Sequence, residues 1–195
     1  MIEEALRLIS VELDQALRRR SPGAASLVAL TNLVDSAGAA VLEAADKVAM
    51  FLVNIEREVI PSRTPRNVDA GLGPIGTVRP PVHLNLMVMF AASSSGATYN
   101  EALKLIEGVI AFFQTRTVFT PSNTPDLPPG IEQLTVEIEN LTTTELSNLW
   151  GILGGRYLPS ILYRFRMITI DAEQIEAQRR RIERTLTQAQ PAGAA

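Results

Sequence analysis

The chain has 195 residues, of which 46% are hydrophobic and 20% charged, and its formal net charge is −3. These values are typical of a globular domain and exclude a chain that is disordered throughout. The acidic balance argues against a dedicated nucleic-acid-binding protein, because such proteins usually carry a basic excess. The absence of cysteine excludes disulfides and cysteine-ligated zinc, and the single histidine, His83, excludes a histidine-rich metal site.

The amino-terminal residues MIEEALRLIS open with acids, which is unlike a secretory signal. No apolar run approaches the roughly 18 residues that a membrane span needs. We therefore expect a soluble protein that is made in the cytosol.

The first part of the chain predicts one helix followed by short and long strands. Residues 2–20 predict an amphipathic helix, since apolar residues recur at steps of three and four. Residues 26–33 predict a short strand. Val41 and Leu42 predict another, with a helix as the alternative because alanines surround them. Residues 47–58 predict a long strand, apolar on both faces near its middle, as in a central or interface-facing strand.

Residues 61–81 contain five prolines and predict a long irregular loop. Loops of that length within a compact domain are often functional. This one carries Arg63, Arg66 and Arg79 against a single acid, Asp69. A solvated excursion and a partner-binding loop are equally compatible with that pattern.

The middle of the chain predicts a strand and then a helix. Residues 82–91 alternate two sets of side chains and predict a strand. Thr98 is a plausible helix N-cap, with Glu101 completing a capping box, and the helix extends to about Gln114. Its predicted buried stripe consists of Leu103, Ile106, Ile110 and Phe113.

The last part of the chain predicts a loop over 121–130 and a strand over 134–139. A helix then begins at residues 142–144, carries Leu146, Leu149, Trp150 and Leu153, and ends at Gly154 and Gly155. Residues 160–170 predict the final strand. Asp171 is predicted to cap a charged C-terminal helix that reaches about Gln188.

This element order predicts an α+β fold with a mixed, mainly antiparallel sheet, flanking helices and a C-terminal helical extension. Residues 1–171 form the predicted domain, and residues 172–195 form the C-terminal helix and tail.

Catalytic candidates are few. Glu137 and Glu139 lie on the same face of one predicted strand, about 7 Å apart by strand rise. Paired carboxylates can act as acid and base in a small hydrolase, although they more often line a solvated face. His83 has no nucleophile or base in a recognisable triad pattern. The GLGPIG segment lacks the strand and helix that a nucleotide fingerprint requires. We therefore assign no catalytic, cofactor-binding or metal-binding residue.

The predicted C-terminal helix has a narrow apolar seam beside three consecutive arginines. A seam this narrow stabilises an isolated helix little, so docking on another chain is favoured over a solvated helix. A monomeric adaptor that binds through this helix remains an alternative. The candidate interface residues of the chain are Arg63, Arg66, Arg79, Ile175, Arg179, Arg180, Arg181, Ile182 and Leu186.

The order of three segments resembles a known family. They read PPVHLNLMVMF, YNEALKLIEGVIAFFQTRTVFT and LTVEIENLTTTELSNLWGILGGRYLPSILYRFRMITID. The chain looks like the cap, or tail-terminator, proteins of extracellular contractile injection systems, of the Photorhabdus virulence cassette and antifeeding-prophage type. The most specific piece is residues 139–167, the N-terminal helix is also typical, and the resemblance covers about residues 1–171.

The resemblance implies a tail-terminator-like fold and a structural, non-enzymatic role without a cofactor. Such proteins form a six-fold ring on the distal end of the inner tube and meet the last sheath layer. The implied partners are copies of the chain and the tube and sheath proteins, with no nucleic acid and no membrane span. The implied location is the cytoplasm during assembly and then an injection particle that can be extracellular.

Overall fold

The computed structural model describes residues 1–21, 23–35, 38–58, 82–93, 99–154 and 157–170, with the backbone alone for residues 167–170. Its elements, in chain order, are α1 (Ile2–Arg20), β1 (Val28–Leu30), a 3-10 turn (Leu42–Ala44), β2 (Val48–Arg57), β3 (Val82–Ala92), α2 (Tyr99–Thr115), β4 (Val118–Phe119), β5 (Leu134–Glu139), α3 (Thr143–Ile152) and β6 (Ser160–Ile170).

The strands form one six-stranded sheet in the order β1-β2-β3-β6-β5-β4. β1 pairs with β2 in parallel, and all other pairs are antiparallel. The predicted α+β class and the mixed, mainly antiparallel sheet are therefore confirmed. β2 lies inside the sheet and is buried on both faces over Val48–Phe51, as its two-sided apolar pattern predicted.

Helices α1 and α2 cover one face of the sheet, which we call the helix face. The predicted stripe of α1 is buried there at Leu6, Ile9, Leu13 and Leu17. The core of this face is aromatic: the Phe90 ring lies 5.3 Å from that of Phe113 and 5.6 Å from that of Tyr163. Burial raises the pKa of the Tyr163 hydroxyl to about 12.

Helix α3 covers part of the opposite face. Thr142 caps it by accepting a hydrogen bond from the Glu145 amide, and the Glu145 carboxylate accepts one from the Thr142 amide. Trp150 is buried against the sheet, with Leu146, Leu149 and Leu153 packed around it, as predicted. The helix stops before Gly154, whose φ of +98° favours glycine.

The predicted stripe of α2 is wrong at two of its four positions. Ile106 and Phe113 are buried, but Leu103 and Ile110 are 42% and 36% exposed. The helix rests instead on Ala102, Ile106, Val109 and Phe113. α2 buries this face because Gly108, which lies against the Leu17 side chain, allows α1 to approach closely.

The short elements differ most from expectation. The strand predicted at Val41 and Leu42 is wrong: Leu42 begins the 3-10 turn and is 89% exposed. The strand predicted over 26–33 shortens to Val28–Leu30, and the two-residue β4 was not predicted. The predicted loop at 61–81, the Thr98 cap and the C-terminal helix at 171–188 lie outside the described residues.

Candidate functional site

Three strands of the sheet extend beyond the helices that cover it. β2, β3 and β6 have 10 or 11 residues each, whereas β1, β4 and β5 have between two and six. Along β3, the residues of the helix face pass from fully buried at Leu86 to half-buried at Leu84 and 40% exposed at Val82. We call the uncovered part, residues 54–57, 82–85 and 166–170, the overhang.

The helix-face side of the overhang presents aliphatic side chains to solvent, together with the exposed Arg57, which lies opposite Leu84. Ile55 is 45% exposed and Val82 40% exposed, with the half-buried Leu84 on the same face. Ile55 lies opposite Leu86 in the ladder, which places it on this face despite the irregularity between Leu52 and Asn54. Apolar side chains grouped on one surface are candidates for contact with another protein segment.

The other face of the sheet carries a charged network at and beside the overhang, with its charges on β5, on β6 and on or directly after β2. The Arg166 guanidinium lies 3.1 Å from a Glu58 oxygen and 3.4 Å from a Glu137 oxygen. The Arg164 guanidinium likewise lies 3.0 Å from a Glu139 oxygen and 3.8 Å from a Glu56 oxygen. Each arginine of β6 therefore bridges a carboxylate of β5 to one in β2 or directly after it.

This geometry bears on the paired-carboxylate hypothesis. Glu137 and Glu139 are each paired with a different arginine, Arg166 and Arg164 respectively. The contacts favour a structural role, in which the two ion pairs fix β5 against β6.

Asn85 places Glu58 within this network. It is 5% exposed, and its side-chain amide donates a hydrogen bond to the Glu58 carboxylate. This hydrogen bond, together with the charge of Arg166, lowers the pKa of Glu58 against the raising effect of burial. Glu58 in turn contributes most to raising the pKa of Arg166, ahead of Glu137.

Glu58→Gln tests the network through its pH dependence. Because the folded state lowers the pKa of Glu58, its ionised form stabilises the fold above the unfolded pKa of about 4.3. That stabilisation is lost as the pH falls through the lower, folded value. We expect the variant to lose about 1 kcal/mol of unfolding free energy at pH 7, and the difference from wild type to shrink below about pH 4.

The measurement is chemical unfolding of both chains between pH 7 and pH 3. Glu107→Gln is the matched control, because Glu107 is 73% exposed and its pairing with Arg20 is long, at 3.7 Å. A Glu58→Gln effect that stays constant with pH would contradict an ionic role for the network.

All nine residues predicted for the interface lie outside the described residues. They are Arg63, Arg66, Arg79, Ile175, Arg179, Arg180, Arg181, Ile182 and Leu186. Their two segments adjoin the overhang in the chain, because residues 59–81 connect β2 to β3 and residues 171–195 follow β6.

The sequence-based reasoning missed Glu58, Asn85, Arg164 and Arg166 as a group. Arg164 and Arg166 alternate with the buried Tyr163 and Phe165, so the sequence placed them on one polar face. Their carboxylate partners lie on β5 and on or directly after β2. The strand order brings these carboxylates to the arginines, and no local sequence pattern predicts that order.

The described part of the chain offers neither a metal-binding cluster nor a membrane-spanning helix. Within it, no group of three or more histidine, aspartate or glutamate side chains is arranged to hold a metal ion. None of the helices described is both long and apolar enough to cross a membrane.

Comparison with solved structures identifies two similar folds. The sheath/tube terminator of an extracellular contractile injection system, PVC, in its extended state, matches with a TM-score of 0.57 and 16% identity, over 87% of this chain and 57% of the other. The tube-terminating cap of the anti-feeding prophage matches with a TM-score of 0.51 and 17% identity, over 82% and 55%. The chain thus spans little more than half the length of either protein.

At these identities the likeness concerns the fold. No curated protein matches the chain. A sequence model of the family described as the Pvc16 N-terminal domain, however, matches residues 5–184, which include every described strand and nearly all of α1. With most of its length matched in sequence, and with a fold shared with two terminators, the chain belongs to the Pvc16 N-terminal domain family.

Proposed function

We propose that the chain is a structural cap, or tail terminator, that closes the distal end of the tube and sheath of a phage-tail-like contractile injection particle. The observation that carries the proposal is the match of one fold, over 87% of the chain, to a sheath/tube terminator. Family membership over residues 5–184 supports the same role.

The site chemistry supports a non-enzymatic role. The carboxylates best placed for acid–base work are held in ion pairs with arginines, and the opposite face of the overhang exposes the aliphatic side chains Ile55 and Val82. Such a surface suits contact with protein better than contact with a small polar substrate. No contact in the described residues favours the hydrolase alternative.

The proposed partners are further copies of the chain and the tube and sheath proteins of the particle. The proposed assembly is a homohexameric ring, in which identical subunits meet through two different, complementary surfaces. Neither nucleic acid nor a membrane is a proposed partner. The ring would assemble in the cytoplasm and then become part of an extracellular particle.

Arg63, Arg66 and Arg79 before β3 and Arg179–Arg181 after β6 are the proposed charged contacts of this assembly. Their segments adjoin the overhang, where β2, β3 and β6 emerge from the helical layer. Reversing Arg179–Arg181 to glutamate should weaken incorporation of the chain into particles. Wild-type incorporation should also weaken as salt rises, because exposed charge pairs are screened.

Sedimentation in the presence of tube protein separates a ring from a monomeric adaptor. A ring sediments at several times the 21.2 kDa mass of one chain, whereas an adaptor adds one chain to its partner. The control is Glu3→Arg, since Glu3 is exposed and, among the described residues, pairs within α1, with Arg7. Incorporation of one chain per particle, or unchanged incorporation after the arginine reversal, would contradict the proposed assembly.

A further inference from the structure

We propose that residues 172–188 pack, within the same molecule, on the aliphatic side of the overhang formed by Ile55, Val82 and Leu84. This places Ile175, Ile182 and Leu186 in a contact within the subunit, in place of the contact with another chain that the sequence favoured. The proposal does not depend on the capping function, because it concerns the isolated subunit.

β6 ends at Ile170, whose backbone lies opposite Val82 in the ladder between β3 and β6. The C-terminal segment therefore begins beside one of the exposed aliphatic residues. Ile175 is five residues beyond Ile170, an advance of about 7.5 Å in the helix predicted from Asp171. Neighbouring strands lie about 4.8 Å apart, so Ile175 can reach Val82 on the adjacent strand.

The predicted C-terminal helix and the overhang have complementary apolar surfaces. Ile175, Ile182 and Leu186 recur at steps of seven and four, which places them on one face of a helix. A seam of three aliphatic residues is too small to stabilise a helix alone. The overhang offers a surface of matching size, with Ile55 and Val82 at 45% and 40% exposure. Each surface removes from water what the other leaves exposed.

The family model continues to residue 184, past the end of β6 and through two of the three seam residues. A segment inside the family domain is expected to pack on it. Arg180 and Arg181 lie off the seam at helical spacing, which leaves them available to a partner, whereas Arg179 lies at the edge of the seam.

Cross-linking of paired cysteines tests this contact in the full chain. The chain has no cysteine, so two introduced thiols are the only ones present. The test variants are Val82→Cys with Ile175→Cys, and Ile55→Cys with Ile182→Cys, treated with a short bismaleimide. We expect an intramolecular link in most molecules, at monomer mobility on a denaturing gel, with a yield that does not change on dilution.

The control pair is Ile152→Cys with Ile175→Cys. Ile152 is 83% exposed and lies on α3, which covers the opposite face of the sheet, so this pair should not link. As a second readout, Ile175→Asp with Ile182→Asp should increase the labelling rate of Val82→Cys in the full chain severalfold.

Three results would overturn the proposal. Links between molecules would mean that the segment is exchanged with another copy. An absence of links, with rapid labelling of Val82→Cys, would mean that the surface is open. An absence of links, with slow labelling that the aspartates do not change, would mean that another segment, such as residues 59–81, covers it. None of these results bears on capping, which is measured on particles.

Discussion

Particles assembled without this chain are expected to have tubes or sheaths of uncontrolled length, or sheaths that are unstable. A cap stops addition of subunits by covering the surface to which the next one would bind. Without that cover, the end of the polymer keeps its affinity for free subunits. The measurement is the distribution of tube and sheath lengths by electron microscopy, with and without the chain.

Supplying the full chain again should restore a narrow length distribution. The chain with Arg179–Arg181 reversed to glutamate should restore it only in part, because its proposed contacts are weakened while its described core is unchanged. Normal length and sheath stability without the chain would contradict the capping function.

Trp150→Ala should lower the free energy of unfolding by about 3–5 kcal/mol. Trp150 is 4% exposed and packs with Phe51, Met87 and Met89 of the sheet. Truncation removes this buried surface and leaves a cavity that the stiff sheet cannot fill. The measurement is denaturant unfolding. The denaturant concentration at the midpoint should fall, while the dependence of the unfolding free energy on denaturant concentration stays constant.

Ile152→Ala is the matched control, since Ile152 belongs to the same helix but is 83% exposed. Its effect should lie within about 0.5 kcal/mol of zero. An equally small effect for Trp150→Ala would show that α3 does not pack on the sheet in solution.

The elements with strong local signals were predicted well. Helix α1 has a regular apolar stripe, and its predicted limits of 2 and 20 agree with the structure. The limits predicted for β6, 160 and 170, also agree. Helix α3 begins where Thr142 and Glu145 form a capping box. Periodicity and capping depend on a few neighbouring residues, so the sequence alone is enough to predict these elements.

Packing choices were predicted less well, because they depend on distant residues. The face that α2 buries is decided by its contact with α1, in which Gly108 meets Leu17. An apolar pattern that includes Leu103 and Ile110 cannot show this. Likewise, the three-residue β1 and two-residue β4 owe their existence to the neighbouring strands with which they pair.

The overhang could not be predicted from any single element. It results from a difference in length between three long strands and the helices that cover them. Its charged side was visible only as separate polar positions, Glu137 and Glu139 on one strand and Arg164 and Arg166 on another. The strand order converts these positions into a network. The residues predicted for the interface lie in the flanking segments, and they stay a prediction.

The location of the chain in an assembled particle is the most direct test of the capping role. Particles that carry a tagged chain should be imaged by cryo-electron microscopy, with the tag labelled and the end density averaged. We expect label at the distal end alone, on a ring of subunits that contacts both the last tube layer and the last sheath layer. Label distributed along the sheath, or absent from intact particles, would contradict the proposal that this chain closes the end.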